Sequence, residues 1–528
     1  MADNKTKENN LAADAAFSIV CPYCFNMASN GKGRPFSHKD VEFRAETYFS
    51  SETEILKKLH YTEVELALKG NAANQEKVKE FEKHKRFLVS GKDEKYNAFW
   101  ANYEGRTTEQ AARGAEKGVK GPVPWELPVI KKGDGVAEIC GDVDGFVTHA
   151  VDEFGKITHR RVCPHCHNPL PLGYGKYPVK YISIIGITGA GKTVYISQLL
   201  KGMSDYASKS GLNAYFTSDH ETNFIEANVV KKGAPLPEST SPGRLSQPMF
   251  YDIVRTVDGV QHQDTIVLYD IAGENCRRAD DMVRFSSFVE HSDGLILLVD
   301  PKQLGFLSTE VDEDDIDAPS LALNTLHGVL ESAKGKKSNV PIAVCVSKSD
   351  QCVNILPTIS QEQVQNADPD ESGLIKREFD GRAFNSLSEG IRDILKTTAN
   401  TVCQNLATEY WNYNFFAVSA IGCGCEPTEQ GFYAPVSRPN PKRIEEPILW
   451  LFKQFGFISS NQKVMRPFKI KQPERYIYKK PFIGKPYLIA QEADFAVYEE
   501  DKIREHKQVL KKNVWTIMSD EDKKLEIR

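Results

Sequence analysis

The order of apolar runs in this sequence predicts an α/β fold, a mostly parallel sheet covered on both faces, preceded by a small cysteine-bearing module with a helical insertion. Three observations carry that prediction. Strand-like apolar runs alternate with helix-like stretches from Tyr181 to Phe457. The first run, Tyr181 to Ile185, opens into a glycine-rich turn, Gly186-Ile187-Thr188-Gly189-Ala190-Gly191-Lys192-Thr193, and closes on a helical pattern, Val194 to Leu200. Two Cys-Pro-x-Cys turns, Cys21 to Cys24 and Cys163 to Cys166, stand upstream of it.

Composition narrows the class. A chain of 528 residues has room for several domains, and its 40% hydrophobic and 26% charged content is that of a soluble globular protein. A net charge of −5 gives no global argument for nucleic acid. No apolar run is long enough to span a bilayer, and the polar start lacks a signal-peptide core. These features predict a cytoplasmic protein, whose 11 cysteines read as metal ligands or buried thiols rather than a disulfide framework.

Residues 1–16 read as a disordered tail and 17–178 as the cysteine module. Each Cys-Pro-x-Cys turn offers two thiolates, so Cys21, Cys24, Cys163 and Cys166 together suit tetrahedral Zn²⁺ in a closed, structural site. Their separation is several times the roughly 15–20 residues of ordinary four-cysteine spacing. The reading is therefore a zinc ribbon with a large insertion; two unrelated cysteine pairs are the alternative. His167 stands beside the second turn and reads as a bystander rather than a substitute ligand. A strand over Val41–Arg44 and a hairpin over Gly145–Val162 flank the turns. The insertion, about 50–116, has Lys, Glu, Ala and Leu at helical spacing; its charges read as a solvated face or a partner surface. Gly118 to Gly135 reads as a linker.

Residues 179–458 form the predicted nucleotide domain. Glycines at 186, 189 and 191 let the backbone around Ala190 wrap an oxyanion, and the helix start at Lys192, Thr193 and Val194 adds its partial positive charge. Lys192 is placed for β- and γ-phosphates and Thr193 for Mg²⁺. Thr240, in the loop after the first helix, reads either as the threonine that closes onto metal and γ-phosphate or as a plain loop threonine. Strands at Phe250–Arg255 and Thr265–Tyr269 follow; the second runs into Asp270-Ile271-Ala272-Gly273-Glu274, a carboxylate for Mg²⁺ and a glycine N–H for the γ-phosphate. Arg277 and Arg278 read as surface charges or arginine fingers. Next come a core strand, Gly294–Val299; an acidic loop holding Glu310, Asp312, Glu313, Asp314, Asp315 and Asp317; and a helix, Leu321–Ala333. A strand then leads into Ser347-Lys348-Ser349-Asp350, which resembles the N/T-K-x-D motif of GTPases; that resemblance implies an Asp accepting from guanine N1 and N2 and a Lys stem covering the ring. Phe415–Ala420 reads as a strand ending in Ser419-Ala420, which resembles the segment where GTPases place the backbone N–H that reads guanine O6, and the helix Ile444–Phe455 closes the domain. The remainder, 459–528, is basic with interleaved aromatics; it reads as an arm packed on the domain or a partner in preference to a single-strand nucleic-acid binder.

In that order the motifs resemble those of Ras-like (TRAFAC-class) P-loop GTPases over about Tyr181–Phe457. With the Cys-Pro-x-Cys ribbon, the turn GITGAGKT, DIAGE and the helix Glu445-Glu446-Pro447-Ile448-Leu449-Trp450, the chain resembles the bacterial double-GTPase group, associated with multi-component systems of conflict or defence. The resemblance implies a P-loop fold and a GTP-hydrolysing switch that uses Mg²⁺. Lys192, Thr240, Gly273 and Glu274 would then serve catalysis; the turn, Lys348, Asp350, Ser419 and Ala420 would bind nucleotide. Ser347 stands where Asn is usual, which implies reduced guanine affinity, and Glu274 where Ras-like proteins carry a water-orienting Gln, which implies slow hydrolysis without an activator. Alternatives are a nucleotide-stabilised scaffold with little hydrolysis and an ATPase on the same fold. Protein partners would meet the mobile loops, the zinc module or the helical insertion.

Overall fold

The computed structural model describes residues 17–25, 35–67, 72–89, 93–101, 124–186, 189–237, 247–257, 259–272, 275, 282, 287–307, 313–330, 337–352, 364–369, 375–379, 381–458, 465–479 and 487–499. The expected tail 1–16 and the end of the helical insertion, 102–116, lie outside the described residues.

The N-terminal module is built from short strands. β1 (Ser18–Ile19) pairs antiparallel with β2 (Phe36–Ser37), and β3 (Glu42–Arg44) lies between β4 (Val129–Ile130) and β8 (Arg161–Val162). β5 (Val136–Gly141), β6 (Val147–Asp152) and β7 (Ile157–Thr158) make a second antiparallel sheet. Among the described residues, four helices lie between β3 and β4: α1 (Glu52–Leu59), α2 (Glu63–Ala67), α3 (Ala72–His84) and α4 (Glu94–Ala101). The first starts where sequence says it should. The Ser51 hydroxyl accepts from the Glu54 N–H, and the Glu54 carboxylate reaches back to the Ser50 N–H at 2.7 Å.

The larger sheet has seven strands: β9 (Val179–Gly186), β10 (Asn213–Phe216), β11 (Met249–Val257), β12 (Val260–Ile271), β13 (Gly294–Val299), β14 (Ile342–Val346) and β17 (Tyr413–Ala417). Their order is β10-β11-β12-β9-β13-β14-β17. The five from β12 to β17 are parallel, and β11 and β10 extend one edge antiparallel. Every residue of β13 and β14 is buried, as strands covered on both faces require. Alternate side chains feed two cores. Ile182, Ile184 and Leu268 pack with α5 (Lys192–Lys209) and α10 (Glu446–Gln454); Ile185, Tyr269 and Leu297 pack with α7 (Glu313–Leu330), α8 (Gly381–Thr398) and α9 (Asn400–Glu409). The second core runs without a break into the N-terminal module through Cys21, Phe25 and Tyr174. A further helix, α6 (Asp219–Ala227), and the paired strands β15 (Val364–Pro369) with β16 (Ile375–Phe379) and β18 (Cys425–Pro427) with β19 (Tyr433–Pro435) sit in the connections.

Two expectations are corrected. Glu313, Asp314, Asp315 and Asp317 lie within α7 rather than in a loop, with Pro319 inside the same helix. The helix is described as far as Leu330; Ala333, Glu310 and Asp312 lie outside the described residues. The strand expected over Phe415–Ala420 is Tyr413–Ala417, and Val418–Ala420 continues past the sheet. In the C-terminal stretch the backbone of β20 (Met465–Lys479) and β21 (Tyr487–Glu499) pairs as an antiparallel ribbon.

Glu446 at the start of α10 is a titratable weak point. Burial pushes its carboxyl up to about 8, against the opposing pull of Arg443, whose Nε lies 2.9 Å away. Between its ordinary value of 4.5 and about 8 the folded state keeps a proton that the unfolded state releases. This group's contribution is therefore fully present below the ordinary value and is lost as pH rises through that window. Glu446→Gln is expected to flatten the fall in thermal midpoint between pH 5 and about 8. An unchanged slope in melting curves across that range refutes the assignment.

Candidate functional site

The site lies at the carboxyl end of the parallel strands, where open α/β sheets leave a crevice for ligands. β9 ends at Gly186, and α5 begins at Lys192. A Cβ at Gly186 would stand 2.7 Å from the Lys192 Cβ, so only glycine lets helix and strand approach this closely. Gly191 caps the helix at φ +75°, a left-handed conformation costly for other residues. The strands on either side of β9 each end in an aspartate that holds a lysine. Asp270, at the end of β12, pairs with Lys192, both side chains 8% exposed. Asp300, just past β13, accepts from Lys348 Nζ at 2.7 Å.

Lys348 stands after β14 with φ +47°, in a turn fixed by Ser347 N–H to Val299 O at 2.9 Å and Ser349 N–H to Val418 O at 3.1 Å. The Ser347 hydroxyl also donates to Val299 O, at 3.0 Å, so this side chain ties the turn to β13. The Asp350 carboxylate accepts from the Ser419 hydroxyl at 2.5 Å. These pieces surround one cavity of about 550 Å³, lined by Gly189, Ala190, Gly191, Val194, Lys348, Asp350, Ser419 and Ala420, and closed on its outer side by Leu236, Pro237 and Tyr433. The outer wall is tied together by Gly233 N–H to Pro435 O and Leu236 N–H to Tyr433 O, both 2.9 Å.

Lys192 and Asp270 meet beside the turn, with Thr193 next in the first turn of α5. The Thr193 hydroxyl and the Asp270 carboxylate are hard oxygen donors of the kind Mg²⁺ takes. Thr240, Gly273, Glu274, Arg277 and Arg278 lie outside the described residues. Sequence reasoning passed over Asp300, whose signal is an Asp-Pro step at the end of a buried strand, and over the β18–β19 hairpin that walls the cavity.

A second centre lies in the N-terminal module. Cys21 Sγ is 3.7 Å from Cys166 Sγ, Cys24 Sγ is 3.8 Å from Cys163 Sγ, and the four sulfurs lie within 4.8 Å of one another. A tetrahedral centre with metal–sulfur bonds of about 2.3 Å has edges of about 3.8 Å, so the cysteines fit Zn²⁺. Amide donors support them: Tyr23 N–H to Cys21 Sγ and His165 N–H to Cys163 Sγ, both 3.4 Å, and Asn168 Nδ2 to Cys166 Sγ at 3.3 Å. Burial pushes the Cys21 and Cys166 thiols up, while hydrogen bonds from its neighbours, Cys166 first, draw Cys163 down. A bound cation is what would hold four thiolates together here. His167 does not join them; its ring nitrogens face Asp93 and Glu42, each at 2.8 Å.

This knuckle is seated on the larger sheet. Pro22 O accepts from the Tyr269 hydroxyl, and Val20 O from the Tyr174 hydroxyl, both at 2.8 Å. The Phe25 ring stacks on His291 at 4.3 Å, and Tyr269 stacks on Phe288 at 4.1 Å. Tyr269 directly precedes Asp270.

A mostly parallel α/β sheet with a ligand cavity at its strand ends, joined to a four-cysteine module, defines the class. Residues 180–401, under half of the chain, match the model of the family described as Double-GTPase 2, in agreement with the resemblance read from the motifs. Over 152 residues the chain is 24% identical to a Mycolicibacterium smegmatis protein provisionally described as the ESX-1 scaffolding and assembly protein SaeC. That match takes in 26% of this chain and 38% of the relative, so the chain spans well under half of the relative's length. Among solved structures it matches the translation elongation factor SelB of Methanococcus maripaludis in its apo form, at 12% identity over 60% of this chain and 42% of that one. The TM-score is 0.21, too low for the likeness to carry any argument.

Proposed function

We propose that this chain binds and slowly hydrolyses GTP as a switch within a multi-component bacterial assembly, and that it works in the cytoplasm. One observation carries the reading: the glycine-rich turn and the Lys348–Asp350 and Ser419–Ala420 segments line the same cavity. Residues 179–458 would be the nucleotide domain, 17–178 the zinc module and 459–528 an extension.

In this reading the N–H groups of the turn from Gly186 to Gly191 and the Lys192 ammonium hold the β- and γ-phosphates. Thr193 and Asp270 hold Mg²⁺, which supplies charge neutralisation at the phosphates. Asp350 accepts from guanine N1 and N2, donors that adenine lacks. The Lys348 stem covers the ring, and the backbone at Ser419 and Ala420 reads O6. Gly273 offers its N–H to the γ-phosphate, and Thr240 closes onto it. Glu274 takes the place of the residue that orients water for in-line attack, and its negative charge beside the γ-phosphate slows the step. Release of phosphate frees the loops around Thr240 and after Asp270, and partner binding changes with them.

The test is competition between GTP and ATP for the purified protein with Mg²⁺, wild type beside Asp350→Ala. Expected is a GTP preference that falls at least tenfold in the variant. Equal affinity for both nucleotides in the wild type sinks the guanine reading. A second reading, a nucleotide-stabilised scaffold with little turnover, is favoured by Glu274 and by the scaffolding description of the relative. Single-turnover phosphate release separates the two: no release over hours with GTP bound supports the scaffold.

A further inference from the structure

We infer that Asp300 is a positioning residue for base recognition, acting through Lys348. The inference rests on the guanine reading above. Asp300 is 6% exposed and is fixed from three sides. Its Oδ1 accepts from the Lys302 N–H at 2.9 Å, capping the short 3₁₀ helix Pro301–Leu304, and the Gln303 side chain returns a bond to the Asp300 N–H at 3.3 Å. That reciprocal cap leaves the carboxylate little freedom. Its other oxygen, Oδ2, holds the Lys348 ammonium.

The Lys348 side chain is 40% exposed, so the pair adds little to folding. What it supplies is direction. Lys348 starts from a left-handed backbone position, and its stem runs along the cavity wall only if the far end is held. Oδ2 also lies 4.0 Å from where a Cβ at Gly189 would stand. The carboxylate therefore sits between the base-side lysine and the phosphate-side turn. It keeps the Lys348 ammonium from swinging onto the phosphates, where it would bind any nucleotide and read no base. Without Asp300, binding shifts from base-selective towards phosphate-driven.

Asp300→Asn keeps the oxygen that caps Lys302 and removes the charge. The experiment is a double-mutant cycle, reading the ratio of GTP to ATP affinity in wild type, Asp300→Asn, Lys348→Ala and both together. Expected is a three- to tenfold fall in the ratio for each single variant and no further fall in the double. Additive losses, or an unchanged ratio in Asp300→Asn, overturn the inference while a wild-type GTP preference leaves the guanine reading standing. A wild type without that preference overturns the guanine reading itself. If Asp300→Asn melts early, Asp300→Ser, which keeps a capping hydroxyl, takes its place in the same cycle.

Discussion

Stripping metal from the four-cysteine centre, or replacing Cys21 by serine, is expected to lower the thermal midpoint of the large sheet and not only that of the N-terminal module. The reason is where the knuckle sits. Cys21 and Phe25 are 0% and 1% exposed and belong to the same core as Tyr269, Leu297 and the helices α7 to α9. One knuckle carbonyl, Pro22 O, accepts the hydroxyl of Tyr269 on β12; Val20 O accepts that of Tyr174, whose oxygen lies 2.9 Å from the hydroxyl of Tyr181 on β9. Each such bond is worth about 1 kcal/mol when made and more when a buried partner is orphaned. Structural zinc binding in small domains is worth about 10–16 kcal/mol, as large as the whole stability of an ordinary domain. Loss of the metal therefore unfolds the knuckle and uncovers Tyr269 and Phe288. Calorimetry with and without a chelator gives the answer: a single transition that moves down by 10 °C or more is expected. Two transitions, the upper one indifferent to chelator, would show that the two parts fold independently. Metal analysis of the purified protein shows whether the four cysteines hold an ion and which one.

What could be read from sequence divides by range. The turn from Gly186 to Thr193 was legible because its cues are local: an apolar run, glycines at backbone-limited positions and a helix start. The convergence of Cys21, Cys24, Cys163 and Cys166 was legible at any separation, since paired thiols on tight turns have few uses. Asp300 was not, because its meaning depends on register. Leu298 lies opposite Gly186 across β13 and β9, and only that pairing brings the next turn beside the glycine-rich loop. Nor was the seating of the knuckle, since Tyr269 on an apolar strand reads as any core aromatic until its hydroxyl is seen to meet Pro22. The helical backbone of Glu313 to Asp317 was not legible either, because a run of carboxylates before a proline looks like a solvated loop.

The buried Lys192–Asp270 pair leads to the other large effect, one whose sign depends on the buffer. Both side chains are 8% exposed, so removing either leaves a charge with poor solvation. In the proposed site Lys192 must exchange the Asp270 carboxylate for phosphate oxygens when nucleotide enters. Lys192→Ala deletes a charge-assisted bond worth about 1.5–3 kcal/mol and leaves Asp270 facing the phosphates. GTP affinity is expected to fall by about 100-fold or more, with or without Mg²⁺. Asp270→Asn behaves differently. With Mg²⁺ present it removes a donor that the proposal assigns to the ion, and affinity falls. Without Mg²⁺ the same change removes both a competitor for Lys192 and a negative charge near the phosphates, and affinity rises above that of the wild type. Titration of a fluorescent GTP analogue in Mg²⁺ and in EDTA measures all three proteins. A loss of equal size in both buffers for Asp270→Asn would mean that the carboxylate only supports the fold, and its place at the metal would have to be abandoned.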